Sequence, residues 1–268
     1  MEGKEEFDLK RAPLLAHLLE LRRRMLYVLM FFLLAFLISY YFSQYIYSFL
    51  TAPLSDAMKN AGDVAGRHMI YTGLHEAFVT YLKLSLFSAL FFSIPFILNQ
   101  LWKFLAPGLY QFERRSFRPF LLMTPIMFLI GATVAYYIVF PLAWSFFLSF
   151  ETTGSDSTIA MHLEARVGEY LSLVTVMILA FGLSFELPVL LLLLARLGMI
   201  SADTLASYRR HAIVLIFAVA AIITPPDMIS QIMLGVPLIL LYEFSIIIIR
   251  YWGEEKNVEN SEVLADDN

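Results

Sequence analysis

The chain has 268 residues, 59% of them apolar and only 16% charged, with a mean hydropathy of +0.71 and a formal net charge of −4. Apolar content this high, with the charges gathered between apolar runs, excludes an ordinary soluble domain and describes an all-α, polytopic membrane protein. The absence of cysteine excludes disulfides, cysteine metal sites and thiol catalysis.

Met1 to Arg24 is charged and lacks the apolar core and cleavage site of a signal peptide. Residues 1–12 read as loose chain. Pro13 then opens PLLAHLLELRRR, where Leu14, Leu18, Leu21 and Met25 share one helical face. Proline suits a first helical position, so 13–24 reads as an interfacial helix. Span 1 follows over about 25–42. Residues 43–77 read as a long loop with amphipathic pieces at 44–52 and 74–82. Span 2 covers about 78–98, and Lys83 reads as snorkelling to the interface. A compact basic loop, QLWKFLAPGLYQFERRSFRP, leads to span 3 at about 121–142. A polar loop at 149–168 precedes span 4, about 170–194. Gly198 fits a helix C-cap and Ser201 an N-cap for a short helix.

The last two apolar runs are short. Residues 212–223 would make only about 18 Å of helix, against about 30 Å for a bilayer core. The TPPD turn (224–227) returns the chain to a final segment, about 229–249, whose apolar core is Ile232–Tyr242. A locally thinned membrane or a re-entrant pair accommodates such lengths. Residues 1–252 thus form one membrane domain, and the acidic tail 253–268 reads as disordered. Lysine and arginine number 15 at the termini and even-numbered connections and 3 on the opposite side. The positive-inside rule makes both termini cytoplasmic.

Glu186 stands in the apolar run 170–195, two residues before Pro188. A lipid-facing carboxylate costs about 2.5 kcal/mol or more, so it requires a partner, a proton or a wet recess. Ser184, Thr175, Ser230 and Gln231 are polar groups able to face it across a cavity. Glu20 has two readings: an i, i+4 pair with Arg24, worth a few tenths of a kcal/mol, or a carboxylate awaiting a cationic ligand. Glu113 likewise either balances Arg114 and Arg115 or joins Phe104, Tyr110 and Phe112 in a half-apolar, half-acidic surface. Asp227 fits a cap for the last helix.

No catalytic signature appears. Val79 stands where a zinc-binding HExxH motif needs its second histidine, and Glu186 stands where a nucleophile elbow needs its second glycine. No phosphate loop is present, no metal or other cofactor is implied, and no enzymatic activity is expected. No GxxxG motif and no internal repeat are apparent.

HLLELRRR before span 1, FLAPGLYQFERR after span 2, AFGLSFELPV in span 4 and TPPDMISQ before the last helix together resemble the TatC family, the core subunit of the twin-arginine protein translocase. The likeness runs from about residue 14 to 250. It implies six transmembrane helices in a cupped arrangement, with short fifth and sixth helices, in a bacterial-type cytoplasmic membrane. It implies a receptor for twin-arginine signal peptides of folded cargo, driven by the proton-motive force. Glu20 and Glu113 match the positions that recognise the arginine pair, with Phe104 and Leu109 nearby. Glu186 matches the membrane glutamate on the concave face, which with the nearby polar groups Ser184 and Gln231 reads as a partner-docking face, and Asp227 falls in the matching extracytoplasmic turn. The implied partners are small single-span subunits of the TatA/TatB type, further copies of the chain and the lipid bilayer, with no nucleic acid. The rival readings are a proton- or ion-coupled secondary transporter using Glu186 and an intramembrane hydrolase using Ser184.

Overall fold

The computed structural model describes residues 2–60, 68–105, 111–152, 161, 163–224 and 228–266, with the backbone alone at 2–17, 102, 105, 111–119, 121, 229 and 252–266. The described residues are mainly helical, and their only β pairing is two isolated bridges. The chain divides into two compact units. One comprises residues 1–49 and 75–125, the other residues 50–74 and 126–268.

In the first unit, α1 runs without interruption from Glu2 to Tyr41. The loose segment and separate interfacial helix expected from sequence are therefore one helix with span 1. Propagating an existing helix needs no new nucleation, so a charged leader joins it at low cost. α2 follows at Ser43–Asn60 and continues past Pro53, where the amphipathic piece at 44–52 seemed to stop. Leu50 and Leu54, one turn apart, are both buried and hold it on either side of the proline. α3 spans Glu76–Leu105 and takes up the second amphipathic piece. α1 packs along α3, with Phe31 stacked on Phe96 at 4.7 Å between ring centroids.

The helix that carries span 3 starts ahead of it, with α4 at Gln111–Val134, so the FERRSFRP segment is helical, while the apolar stretch long enough to cross a membrane, Leu122–Leu148, starts where the sequence reading puts it and runs further at its other end. It continues through a π-helical turn, Ala135–Val139, into α5 at Phe140–Leu148. Pro141 explains the irregularity. It lacks an N–H and crowds the carbonyl one turn back, so the ladder shifts to a wider ring.

Span 4 is two helices, α6 at Val167–Ser184 and α7 at Leu187–Arg196. Gly198 then adopts φ +71°, the left-handed conformation of a helix-terminating glycine. The Ser201 hydroxyl accepts the Thr204 N–H at 3.1 Å and caps α8, Ala202–Ser207. Both cap assignments agree with the sequence reading.

α9 covers Arg209–Ile223, about 22 Å of helix, and is shorter than a bilayer core. α10 runs from Met228 to Asp266. Its apolar window, Ser230–Tyr251, agrees with the segment 229–249 read from sequence, and at 22 residues it is long enough to cross a membrane, so this last helix is not the short one expected. Glu243 lies within that window and pairs with Arg209 of α9 at 2.8 Å. The acidic segment after residue 252, expected to be disordered, continues this helix as far as Asp266. Among the described residues five helices are long and apolar enough to cross a membrane, and α9 is not among them.

Helices in lipid gain little from apolar burial and rely on close packing. Here that packing is set by lone glycines. A Cβ on Gly131 would stand 2.5 Å from the Phe181 carbonyl oxygen, and one on Gly182 would stand 2.6 Å from the Phe128 ring. The search for paired glycines misses both. Their signal in the sequence is a single glycine in the middle of an apolar span. Phe128 and Phe181 are fully buried at this contact. The connections at 68–74 and 161–166 are also tied together. Ile70 exchanges backbone hydrogen bonds with Ala165 and Val167, and Arg166 donates to the Thr72 hydroxyl while pairing with Glu169.

Candidate functional site

The two carboxylates singled out by the sequence lie in different settings. Glu20 sits on α1 in the first unit. Its Oε1 accepts hydrogen bonds from Arg24 Nε at 3.0 Å and Nη2 at 2.5 Å. This is the i, i+4 pair that the spacing allows. The third bond is new: Arg24 Nη1 donates to Gln100 Oε1 on α3 at 3.1 Å. Arg24 thereby links the two helices. Gln100 and Phe104 are one turn apart on α3 and share a face, so Phe104 is brought to the same end of the helix pair. The Phe104 side chain is half-buried. The Glu20 carboxylate is 35% exposed, which leaves it accessible while Arg24 holds it.

Two neighbouring arginines do not share this role. Arg22 is exposed, and Arg23 donates to the Tyr27 hydroxyl at 3.0 Å with its guanidinium 5.7 Å from the ring centre. Glu113 is on the first turn of α4, in the same unit, and its side chain is outside the described residues. Leu109 also lies outside them.

Glu186 occupies the junction between α6 and α7 in the second unit. Pro188, in the first turn of α7, has no N–H to offer the Ser184 carbonyl one turn before it. The chain responds with a tight turn, in which the Glu186 N–H donates to the Leu183 carbonyl at 3.1 Å. Leu190 N–H then donates to the Glu186 carbonyl at 2.9 Å and starts α7. The Glu186 side chain makes no capping bond to α7, and its Oε1 is buried. The positive end of α7 favours a carboxylate there by a few tenths to about 1 kcal/mol. Ser184, half-buried, is the last residue of α6 and adjoins this break.

Gln231 is engaged elsewhere. Its side-chain amide donates to the Phe217 carbonyl at 3.0 Å and ties α10 to α9. A second tie holds α8 to α10, where the Tyr242 hydroxyl donates to the Leu205 carbonyl at 2.8 Å. Asp227 lies outside the described residues. Among the described residues no group of histidine and carboxylate side chains is arranged to hold a metal.

Residues 16–237 match the family model described as Sec-independent protein translocase protein (TatC). The chain belongs to the TatC family. The Sec-independent protein translocase protein TatC of Magnetococcus marinus is 45% identical over 263 residues, covering 97% of this chain and 93% of the relative. That of Rickettsia prowazekii is 47% identical over 235 residues, covering 88% and 91%. A crystal structure of a twin arginine translocase receptor, TatC, is similar with a TM-score of 0.73 at 36% identity, over 88% of this chain and 98% of that one. TatC membership agrees with the polytopic helical fold and identifies a protein-translocase component.

Proposed function

We propose that this TatC-family chain is the signal-peptide receptor of a twin-arginine translocase. It binds twin-arginine signal peptides of folded cargo at its cytoplasmic face and scaffolds their export, driven by the proton-motive force. The observation that carries this reading is the placement of Glu20 on α1 beside Arg24 and Gln100, at the end of the helix pair that bears Phe104. Glu113 and Leu109 complete the site in this proposal. Two carboxylates suit two guanidinium groups, because each accepts a planar fork of charge-assisted hydrogen bonds that an ammonium does not supply. The 15-to-3 distribution of lysine and arginine supports cytoplasmic termini with Asp227 on the opposite side, and the bacterial TatC relatives support a bacterial-type inner membrane.

The Glu186 break serves a different purpose. A break in an apolar span that carries a carboxylate is a polar spot that single-span subunits of the TatA/TatB type recognise from within the membrane. Further copies of the chain complete the assembly, and no nucleic acid takes part.

The test is a crosslink map from a signal peptide carrying a photoreactive group beside its arginine pair. Crosslinks should fall on α1 near Glu20 and on α3 near Phe104. Glu20→Ala or Glu113→Ala should weaken them, and undiminished crosslinking in both variants defeats the assignment.

A further inference from the structure

The Glu20 carboxylate already holds a guanidinium, and that guanidinium belongs to the protein. We propose that Arg24 is a resident counter-ion occupying the place of a ligand arginine on Glu20, and that signal peptides bind by displacing it. The inference rests on the receptor reading above and adds a competitive device to the same site.

The geometry supports exchange. Arg24 places both Nε and Nη2 on a single oxygen, Oε1, while Nη1 reaches Gln100. Among the described residues no other group is bonded to Glu20. An incoming guanidinium therefore meets a partly exposed carboxylate whose Oε2 is still open among those residues. It can form its first bond before the resident lets go. Gln100 is neutral and remains as an acceptor for Arg24 afterwards, so the released side chain keeps one anchor on α3.

The thermodynamic consequence has a definite sign. Releasing Arg24 costs the same whichever ligand arrives, so the resident weakens every cationic ligand by one common factor. It leaves the preference for arginine over lysine to the fork geometry of the site. It raises the threshold that a peptide must pass, and ligands with one weak cation fall below it. Binding also exchanges one ion pair for another, so its dependence on salt is shallow. Without the resident, binding creates a new pair and becomes more sensitive to salt.

The experiment measures binding of labelled twin-arginine and twin-lysine signal peptides to the full chain in nanodiscs, at low and high salt. The proteins are the wild type, Arg24→Gln, Arg24→Lys, Glu20→Gln and the Glu20→Gln/Arg24→Gln double variant. Arg24→Gln should tighten both peptides by the same factor, roughly two- to fivefold as for an exposed ion pair, and steepen the salt dependence. Arg24→Lys should move both peptides the same way by less. The gain should vanish in the double variant, because it acts through Glu20. A merely structural clamp between α1 and α3 predicts weaker binding in Arg24→Gln, and that result overturns the proposal. So does an unchanged affinity, or a gain that survives loss of Glu20. A melting curve checks folding, and Arg24→Lys decides the matter if Arg24→Gln does not fold. Absence of Glu20-dependent binding in the wild type would instead sink the receptor reading itself.

Discussion

Glu20 and Glu186 are the same functional group placed in opposite ways. Glu20 rides on an unbroken helix, partly exposed, and is held by a flexible side chain of the same protein. Glu186 sits where a helix is broken by proline, with one oxygen buried. A bond to a mobile side chain is exchangeable, and a position fixed by the backbone is not. The first arrangement suits a ligand that comes and goes, and the second suits a partner that stays.

Four changes break or sharpen this contrast. The largest expected effect is Gly131→Val, which forces a side chain against the Phe181 carbonyl, backbone that cannot yield. It should destabilise the second unit by about 3 kcal/mol in a reversible unfolding assay. Glu20, Gln100 and Phe104 all lie in the other unit, so peptide binding by the protein that remains folded should hold. Parallel loss of binding would mean that the two sites are not separable. Glu20→Gln comes next. It should cost about 2 kcal/mol of peptide affinity, the worth of hydrogen bonds to a charged group, with little change in melting temperature.

Glu186→Ala reverses that pattern. Peptide crosslinking should stay near the wild-type level while co-purification of single-span subunits falls severalfold. Normal assembly and export would return Glu186 to a packing role. The smallest effect is expected for Pro188→Ala. It restores a donor for the Ser184 carbonyl and should raise stability by under about 1 kcal/mol, with weaker partner assembly as the break straightens. A loss of stability would show that the proline is needed for packing and is not the cause of the break.

The sequence makes the local chemistry of both sites legible and leaves the tertiary part hidden. The Glu20–Arg24 pair follows from a spacing of four on a helix. Gln100 does not, because its contact with Arg24 spans 76 positions and depends on how closely α1 approaches α3. Glu186 and Pro188 identify an expensive position, and the proline is the local sign that the span divides there, although the reading of 170–194 as one span does not use it. The partner of Glu243 is hidden for a related reason, since Arg209 stands 34 residues earlier and on another helix. Gly131 and Gly182 escape a motif search because each works alone, against a partner on another helix.

The π-helical turn at Ala135–Val139 has a consequence for how this span tolerates change in length. The Phe140 N–H bonds to the Ala135 carbonyl, five residues back, so that one turn holds a residue more than an α-helix requires. Deleting one residue within it would restore the regular period while leaving both flanking stretches in register with their neighbours. The same deletion in an α-helical stretch of the span would rotate everything beyond it by about 100° and turn buried faces toward lipid. This turn is therefore a place in the span where a homologous chain can be one residue shorter.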